Sequence, residues 1–241
     1  MIHFDNVVFA REQRTILDRI SFAVAFNERV AILGGSGEGK TTILKLIIGL
    51  ELPDSGEITV AGESLAGSSE RRLQVLRRKF GVVFQEGALF DSLSVGENVA
   101  FPLREAGVHD PVRLEEKVRG LLRKVGIEHA IGYMPEELSG GMRRRTAIAR
   151  ALATEQSKIF LYDEPTADLD PVNAAIIRDL INNLSGDGRG FIEVTHSVPD
   201  ALRTARRFLF IQNGSILLDG DARQLKSTGN KSVKDFVRKA L

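Results

Sequence analysis

Residues 29–48 read RVAILGGSGEGKTTILKLII, and this stretch decides the fold. Arg29 to Leu33 is a bare apolar run of the kind that forms a buried strand, while Ile43 to Ile48 has helical character and stops at Gly49. Between them GGSGEGKTT fits the pattern G-x-x-x-x-G-K-[ST], with Gly34, Gly39, Lys40 and Thr41 in the fixed places. Glycines let backbone N–H groups turn inward around phosphate oxygens, and the helix that follows presents its positive end to them. Lys40 reaches the β- and γ-phosphates, and Thr41 places a hydroxyl on Mg²⁺. The bland alternative is a glycine-rich turn, and the strand before and helix after argue against it. The nucleotide contact therefore runs through Gly35, Ser36, Gly37, Glu38, Gly39, Lys40, Thr41 and Thr42. Within it, the Glu38 carboxylate would repel phosphate, so its side chain is expected to point outward to solvent.

Outward from the loop, short apolar runs alternate with helical patterns, the signature of α/β architecture. Strands are expected at Ile20 to Phe26, Gly81 to Phe84, Lys158 to Tyr162, Phe191 to Val194 and Phe208 to Ile211. Between Asp91 and Glu155 the texture turns helical and charged. Asp110-Pro111 starts a helix whose apolar positions Val112, Leu114, Val118, Leu121, Leu122 and Val125 keep helical spacing up to Gly126. The expected organisation is one domain: an α/β core from 1–90 and 156–230, an inserted helical lobe at 91–155, and a short amphipathic helical tail at 231–241.

Composition narrows the function classes. Among 241 residues, 33 Lys and Arg balance 32 Asp and Glu, so no basic excess advertises a nucleic-acid partner. The absence of cysteine excludes disulfides, thiol catalysis and zinc–cysteine sites. No run approaches the ~20 apolar residues that span a bilayer. The N-terminus, Met1-Ile2-His3-Phe4-Asp5, has no signal-peptide pattern, so a cytosolic protein is expected.

Ile159-Phe160-Leu161-Tyr162-Asp163-Glu164 is an apolar strand ending in two carboxylates. Alone, such a run is more often a strand meeting a surface turn. Together with the phosphate loop it reads as a Walker B element, with Asp163 toward Mg²⁺ and Glu164 polarising the attacking water. Leu138-Ser139-Gly140-Gly141-Met142 opens a further helix, and Ser139 with the two glycine amides makes a second anion site at its N-terminus. The chain's own loop already holds the phosphates, so this second site calls for another molecule's γ-phosphate.

These residues resemble the ATP-binding cassette (ABC) ATPases, whose LSGGQ signature is here LSGGM, and the resemblance covers essentially the whole chain. It implies a P-loop NTPase (RecA-like) core with an antiparallel β subdomain and an inserted α-helical subdomain. It also implies a head-to-tail homodimer sandwiching two ATP molecules. Gln85 matches the family's Q-loop glutamine, which contacts Mg²⁺ or water and senses the transport partner. Asp168 lies in a match to the D-loop, Ala167-Asp168-Leu169-Asp170, and His196 matches the switch histidine on the γ-phosphate. Taken alone, Gln85 or His196 would be unremarkable. The metal set implied is Thr41, Gln85 and Asp163; the catalytic set is Glu164, His196, Lys40 and Gln85. Where most members carry an aromatic that stacks on adenine, the matching place is Arg11, and a guanidinium can stack on a purine.

Phe84-Gln85-Glu86-Gly87-Ala88-Leu89-Phe90, Asn98 to Glu105, Tyr133-Met134-Pro135, Met142 with Arg144-Arg145, and Val198-Pro199 narrow the likeness to the Mla/Mkl-type lipid-transport ATPases of bacteria. Members of that type sit peripherally on the cytoplasmic face of the inner membrane under an integral permease. They work with a lipid-binding MCE-domain protein to move phospholipid between membranes. An amino-acid importer or lipoprotein-releasing ATPase shares every catalytic motif and is the alternative. An ABC ATPase of DNA repair or translation is disfavoured by the single P-loop and the lack of a heptad run, so no nucleic-acid partner is expected.

Overall fold

The computed structural model describes every residue except Glu86, Gly186 and Asp187, so the Glu86 of the lipid-transport likeness lies outside the described residues. In chain order the first elements are β1 (Ile2–Arg11), β2 (Arg14–Val24), β3 (Arg29–Leu33), α1 (Lys40–Ile47), β4 (Ser55–Val60), β5 (Glu63–Ser64) and α2 (Glu70–Arg77). Then come β6 (Phe80–Val83), α3 (Val95–Glu105), α4 (Pro111–Lys124), α5 (Gly140–Leu152), β7 (Ile159–Asp163) and α6 (Pro171–Leu184). The chain closes with β8 (Gly190–Thr195), α7 (Val198–Thr204), β9 (Arg207–Gln212), β10 (Ser215–Gly220), α8 (Ala222–Ser227) and α9 (Lys231–Ala240). Contacts divide these into two compact units, Met1–Arg77 with Ser185–Leu241, and Arg78–Leu184.

In the first unit, β3 lies between β8 and β9 and is parallel to both, with β10 antiparallel on β9. Val30 to Leu33 and Phe208 to Ile211 are all buried, which is why these strands read as unbroken apolar runs. A second, antiparallel sheet has the order β2-β1-β4-β5. Its β1–β2 pairing carries several register shifts, and Asn6, Arg19 and the turn residues Glu12 and Gln13 take positive φ. These irregularities break the period-two alternation, so only the inner part of β2 was expected as a strand and β1 was not.

The tail is a helix, α9, packed on its own unit: Val233 and Val237 are buried and the Phe236 ring meets Phe210 edge-on at 5.0 Å.

In the second unit, β6 pairs in parallel with β7, and α3, α4 and α5 pack together. The α4 start is as expected: Asp110 caps it by accepting from Arg113 N at 2.7 Å, and Pro111 occupies the first turn, where its missing N–H costs nothing. Ser94 and Glu97 form a reciprocal capping box on α3.

Candidate functional site

The phosphate loop sits in the first unit. Gly34 follows the buried end of β3 so closely under β9 that an added Cβ would lie 2.5 Å from the Ile211 carbonyl oxygen. Gly37 and Gly39 have φ of 79° and 88°, left-handed values that glycine adopts without strain. Gly39 caps α1 with no side-chain partner and there is no acidic residue in the first turn. That helix start is thus left for an anion. Lys40 is buried and folds back along the loop, its Nζ donating to the Gly34 and Gly35 carbonyls at 3.1 and 2.9 Å. Ser36 and Gly37 are exposed, while Gly35, Thr41 and Thr42 are half-buried.

Glu38 departs from expectation. It is half-buried rather than turned to solvent, and its carboxylate accepts from Asn213 N at 2.6 Å. Asn213, at φ 50°, and Gly214, at φ 74°, form the β9–β10 turn, so the carboxylate fastens the loop to that hairpin. An Asn-Gly pair suits such a turn, but no residue type marks its backbone N–H as an anchor for Glu38.

Arg11 ends β1, is exposed, and lies directly opposite Arg14 of β2, a residue that sequence reasoning did not single out. His196 is exposed and comes immediately after buried Thr195 at the end of β8. The next residue, Ser197, is held by Thr195 Oγ1 at 3.0 Å and caps α7.

The second unit carries the remaining candidates. Asp163 is buried at the end of β7, and Glu164 follows half-buried at φ 46°, a left-handed conformation that is costly for a side-chain-bearing residue. Asp168 is exposed at φ 60°. Ser139 caps α5 by accepting from Met142 N at 3.2 Å, with Gly140 exposed beside it. Gly141 is buried against Asn173, and any Cβ there would overlap that side chain. Asn173 is in turn bound to Asp170, whose carboxyl it holds below the usual range. The signature helix start and the D-loop are therefore locked together through Asn173, which no sequence motif marks.

Gln85 is exposed and lines a cavity of about 640 Å³ with Leu89, Asp91, Pro135, Glu136 and Arg143. Phe84, Gly87 and Ala88 are tied to α5, by Arg144 Nη1 on the Phe84 carbonyl at 3.0 Å and by Arg150 on the Gly87 and Ala88 carbonyls at 2.9 Å each. The Arg150 guanidinium also lies 5.5 Å from the Phe90 ring centre. A second, apolar hollow of about 340 Å³ lies among Phe80, Phe84, Phe90, Phe101, Pro102 and Arg150, with Phe90 and Phe101 exposed at its rim.

Among the described residues no group of three or more His, Asp or Glu converges as a metal cage. The candidate donors, one hydroxyl, one amide and one carboxylate, suit Mg²⁺, which keeps waters and substrate phosphate oxygens in its shell.

The family model for ABC transporters matches residues 17–167. The intermembrane phospholipid transport system ATP-binding protein MlaF of Escherichia coli K12 is 39% identical over 98% of this chain and 88% of its own. The glutamine transport ATP-binding protein GlnQ of the same organism is 37% identical, covering 99% of each chain. Among solved structures, the dimeric post-hydrolysis state of the ATP-binding cassette MJ0796, bound to ADP and Pi, matches at a TM-score of 0.85. It is 30% identical and covers 92% of this chain and 98% of that one. The fold is an ABC ATPase cassette, and no helix among the described residues is long and apolar enough to cross a membrane. With its phosphate loop, serine-capped signature helix and carboxylate-ended strand in that order, the chain belongs to the ABC transporter family of ATP-binding, ATP-hydrolysing subunits.

Proposed function

We propose that this chain is the motor of a phospholipid transporter working between the inner and outer membranes of a bacterium. The observation that carries this reading is its 39% identity to MlaF across nearly the whole chain. GlnQ, at 37%, keeps the amino-acid importer as the competing assignment. The segments from Phe84 to Phe90 and Tyr133 to Pro135 favour the lipid type.

ATP binds through Gly35 to Thr42, with the loop amides and Lys40 on its phosphates and Arg11 beside the base. Thr41, Gln85 and Asp163 would hold Mg²⁺, which supplies positive charge to the β- and γ-phosphate oxygens. Two copies close head to tail, and Ser139, Gly140 and Gly141 of one meet the γ-phosphate bound by the other, with Asp168 at the seam. Glu164 takes a proton from water as its oxygen attacks the γ-phosphorus. The bond to the β–γ bridging oxygen breaks, leaving ADP and phosphate, while His196 stabilises the charge on the transferring group.

Residues 91–155 serve as the helical subdomain, residues 1–90 and 156–230 as the core, and 231–241 as a tail packed on it. The apolar hollow rimmed by Phe90 and Phe101 suits a helix of an integral permease, which would bring the chain to the cytoplasmic face of the inner membrane. An MCE-domain lipid-binding protein completes the assembly.

Glu164→Gln should retain ATP binding and trap the closed dimer, and wild-type turnover in that variant would remove Glu164 from its role. Affinity purification from membranes tests the cargo: recovery with a permease and an MCE-domain protein supports the lipid assignment. Recovery with a periplasmic amino-acid-binding protein refutes it.

A further inference from the structure

The end of the β1–β2 hairpin carries two arginines that no structural role absorbs. Arg11 and Arg14 are directly opposed across the strand pair, and both are exposed. Neither guanidinium has a hydrogen-bond or carboxylate partner among the described residues, although other arginines of this unit do: Arg19 is paired with Asp18, Arg72 with Glu63, and Arg207 with Glu28 and Asp219. Two like charges facing each other on adjacent strands repel. They are held in register by a turn in which both Glu12 and Gln13 take positive φ, at 49° and 65°. The hairpin thus spends backbone strain to keep two cations side by side.

Their direction follows from the register. Phe9 pairs with Leu17, Ala10 with Thr15 and Arg11 with Arg14, the shift falling at Ile16 as an extra residue in β2. Arg11 is two residues from buried Phe9, so the two share one sheet face. Arg14, opposite Arg11, lies on that face too, together with Leu17. This is the face that covers the phosphate loop: a Cβ at Gly39 would lie 2.9 Å from Ile16 Cγ2 and 3.0 Å from Leu17 Cδ2. Two residues of strand separate Ile16 from Arg14, about 7 Å along the sheet. Arg11 and Arg14 therefore stand at the end of the face that covers the loop, two strand residues beyond its contact with Gly39.

We propose that Arg14 and Arg11 together clamp the purine ring of the nucleotide, and that the clamp accepts guanine as readily as adenine. The proposal rests on the reading of Arg11 as the base contact and adds its partner and its selectivity. A planar guanidinium stacks on the π-face of a base and senses ring area, whereas adenine and guanine differ at their edges. A base between the two cations also relieves their repulsion by giving each an electron-rich face.

The test is an equilibrium titration of the full-length protein with Mg²⁺ and ATP, GTP or inorganic tripolyphosphate, the last carrying phosphates without a base. The variants are Arg11→Ala, Arg14→Ala and Arg14→Lys; both positions are exposed, so folding is preserved. The expected result is that wild type binds ATP and GTP within a few-fold of each other. Arg14→Ala weakens both by about two- to fivefold, leaving tripolyphosphate unchanged, and Arg14→Lys, which keeps charge but not the plane, fails to restore them. Equal weakening of tripolyphosphate would make Arg14 a phosphate-attracting charge and overturn the clamp. Loss of ATP binding without loss of GTP binding would overturn its tolerance of both purines. If Arg11→Ala weakens nucleotides and Arg14→Ala does not, Arg11 stands and the pair falls. If neither does, the base-contact reading falls with it.

Discussion

Asn98 gives the sharpest test of how the second unit is held. It is fully buried in the first turns of α3, and one side chain ties down the whole loop before that helix. Its Oδ1 accepts from Phe90 N at 2.8 Å, and its Nδ2 donates to the carbonyls of Phe90, Leu93 and Ser94 at 3.1, 2.9 and 3.1 Å. An amide nitrogen has two hydrogens, so three carbonyls share two donors. With the Phe90 bond that makes about three bonds' worth of stabilisation, or ~3 kcal/mol at ~1 kcal/mol each. Asn98→Ala should therefore cost about 3 kcal/mol. For a chain of this size that is about 1 M in urea midpoint and about 6–12 °C in Tm. Asn98→Asp is nearly isosteric yet should be worse at neutral pH. It keeps the Phe90 bond but sets a buried carboxylate against three carbonyl oxygens, an uncompensated charge worth ~3–5 kcal/mol beyond the lost donors. Burial and those carbonyls raise the folded pKa of the introduced carboxyl above its unfolded value of ~3.9. The extra cost is then full above the folded pKa and shrinks as pH falls through it, because the protonated acid can donate to a carbonyl again. Urea unfolding followed by circular dichroism, since the chain has no tryptophan, should place the Asp variant below the Ala variant at pH 7.5, with the gap closing toward pH 5. An Asp variant as stable as the Ala variant at pH 7.5, or a gap indifferent to pH, would refute the argument.

Three further outcomes follow from the same geometry. Glu38→Gln keeps an acceptor for Asn213 N and removes a like charge beside the polyphosphate. ATP affinity should rise roughly two- to threefold at low salt and converge with wild type at high salt; a weaker-binding Gln variant in the same titration would contradict it. Gly81→Ala drives a Cβ into the fully buried Phe160 ring and toward the Ala151 carbonyl. Overpacking of that kind costs ~1–3 kcal/mol, and an unchanged thermal midpoint would show that β6 yields instead. The Glu97 carboxyl is held below its usual range, first by the hydrogen bond from the Ser94 backbone and then by the Ser94 side chain. Its contribution is present above the unfolded pKa and fades as pH falls through the depressed folded value. Glu97→Gln keeps a capping box without the charge, so wild type should lead in urea midpoint at pH 7 and lose that lead by about pH 3; a constant difference would contradict the pairing.

What could be read from the sequence was what is local in the chain. The phosphate loop needs a strand, glycines, a lysine and a helix in unbroken succession, and GGSGEGKTT between Leu33 and Ile43 supplies them within a dozen residues. The same holds for β7 running into Asp163 and for Asp110-Pro111 at the head of α4, where one residue's own chemistry fixes the local backbone. Illegible were the contacts in which a side chain spends its hydrogen bonds on a distant carbonyl or amide. Glu38 on Asn213 spans 175 positions and Arg150 on Gly87 spans 63, and neither partner is marked by residue type because every residue has a backbone. The expectation that Glu38 faces solvent came from its charge alone, and it yielded to an N–H that the β9–β10 turn leaves within reach.

Arg11 and Arg14 show a third case, in which the residues are visible and their direction is not. Side chains on a strand alternate between faces, so a reading that misses one extra residue assigns every later side chain to the wrong side. The extra residue at Ile16 does this to β2: counted by strict alternation from buried Leu17, Arg14 would fall on the opposite face from Leu17. Counted across the register from Phe9 through Arg11, it lies at the exposed margin of the face that covers Gly39. The bulge also brings Ile16 and Leu17 together onto the phosphate loop, and it leaves the strand one residue longer on the side of the turn. Deleting Thr15 should therefore remove the bulge and return β2 to plain alternation, with Phe9 still opposite Leu17, Ile16 opposite Ala10 and Arg14 still opposite Arg11. The pair survives while Ile16 turns away from the phosphate loop, so ATP and GTP affinity should stay within a few-fold of wild type. A deletion variant that bound both nucleotides as weakly as Arg14→Ala, with tripolyphosphate binding intact, would show that opposed register alone does not position the pair.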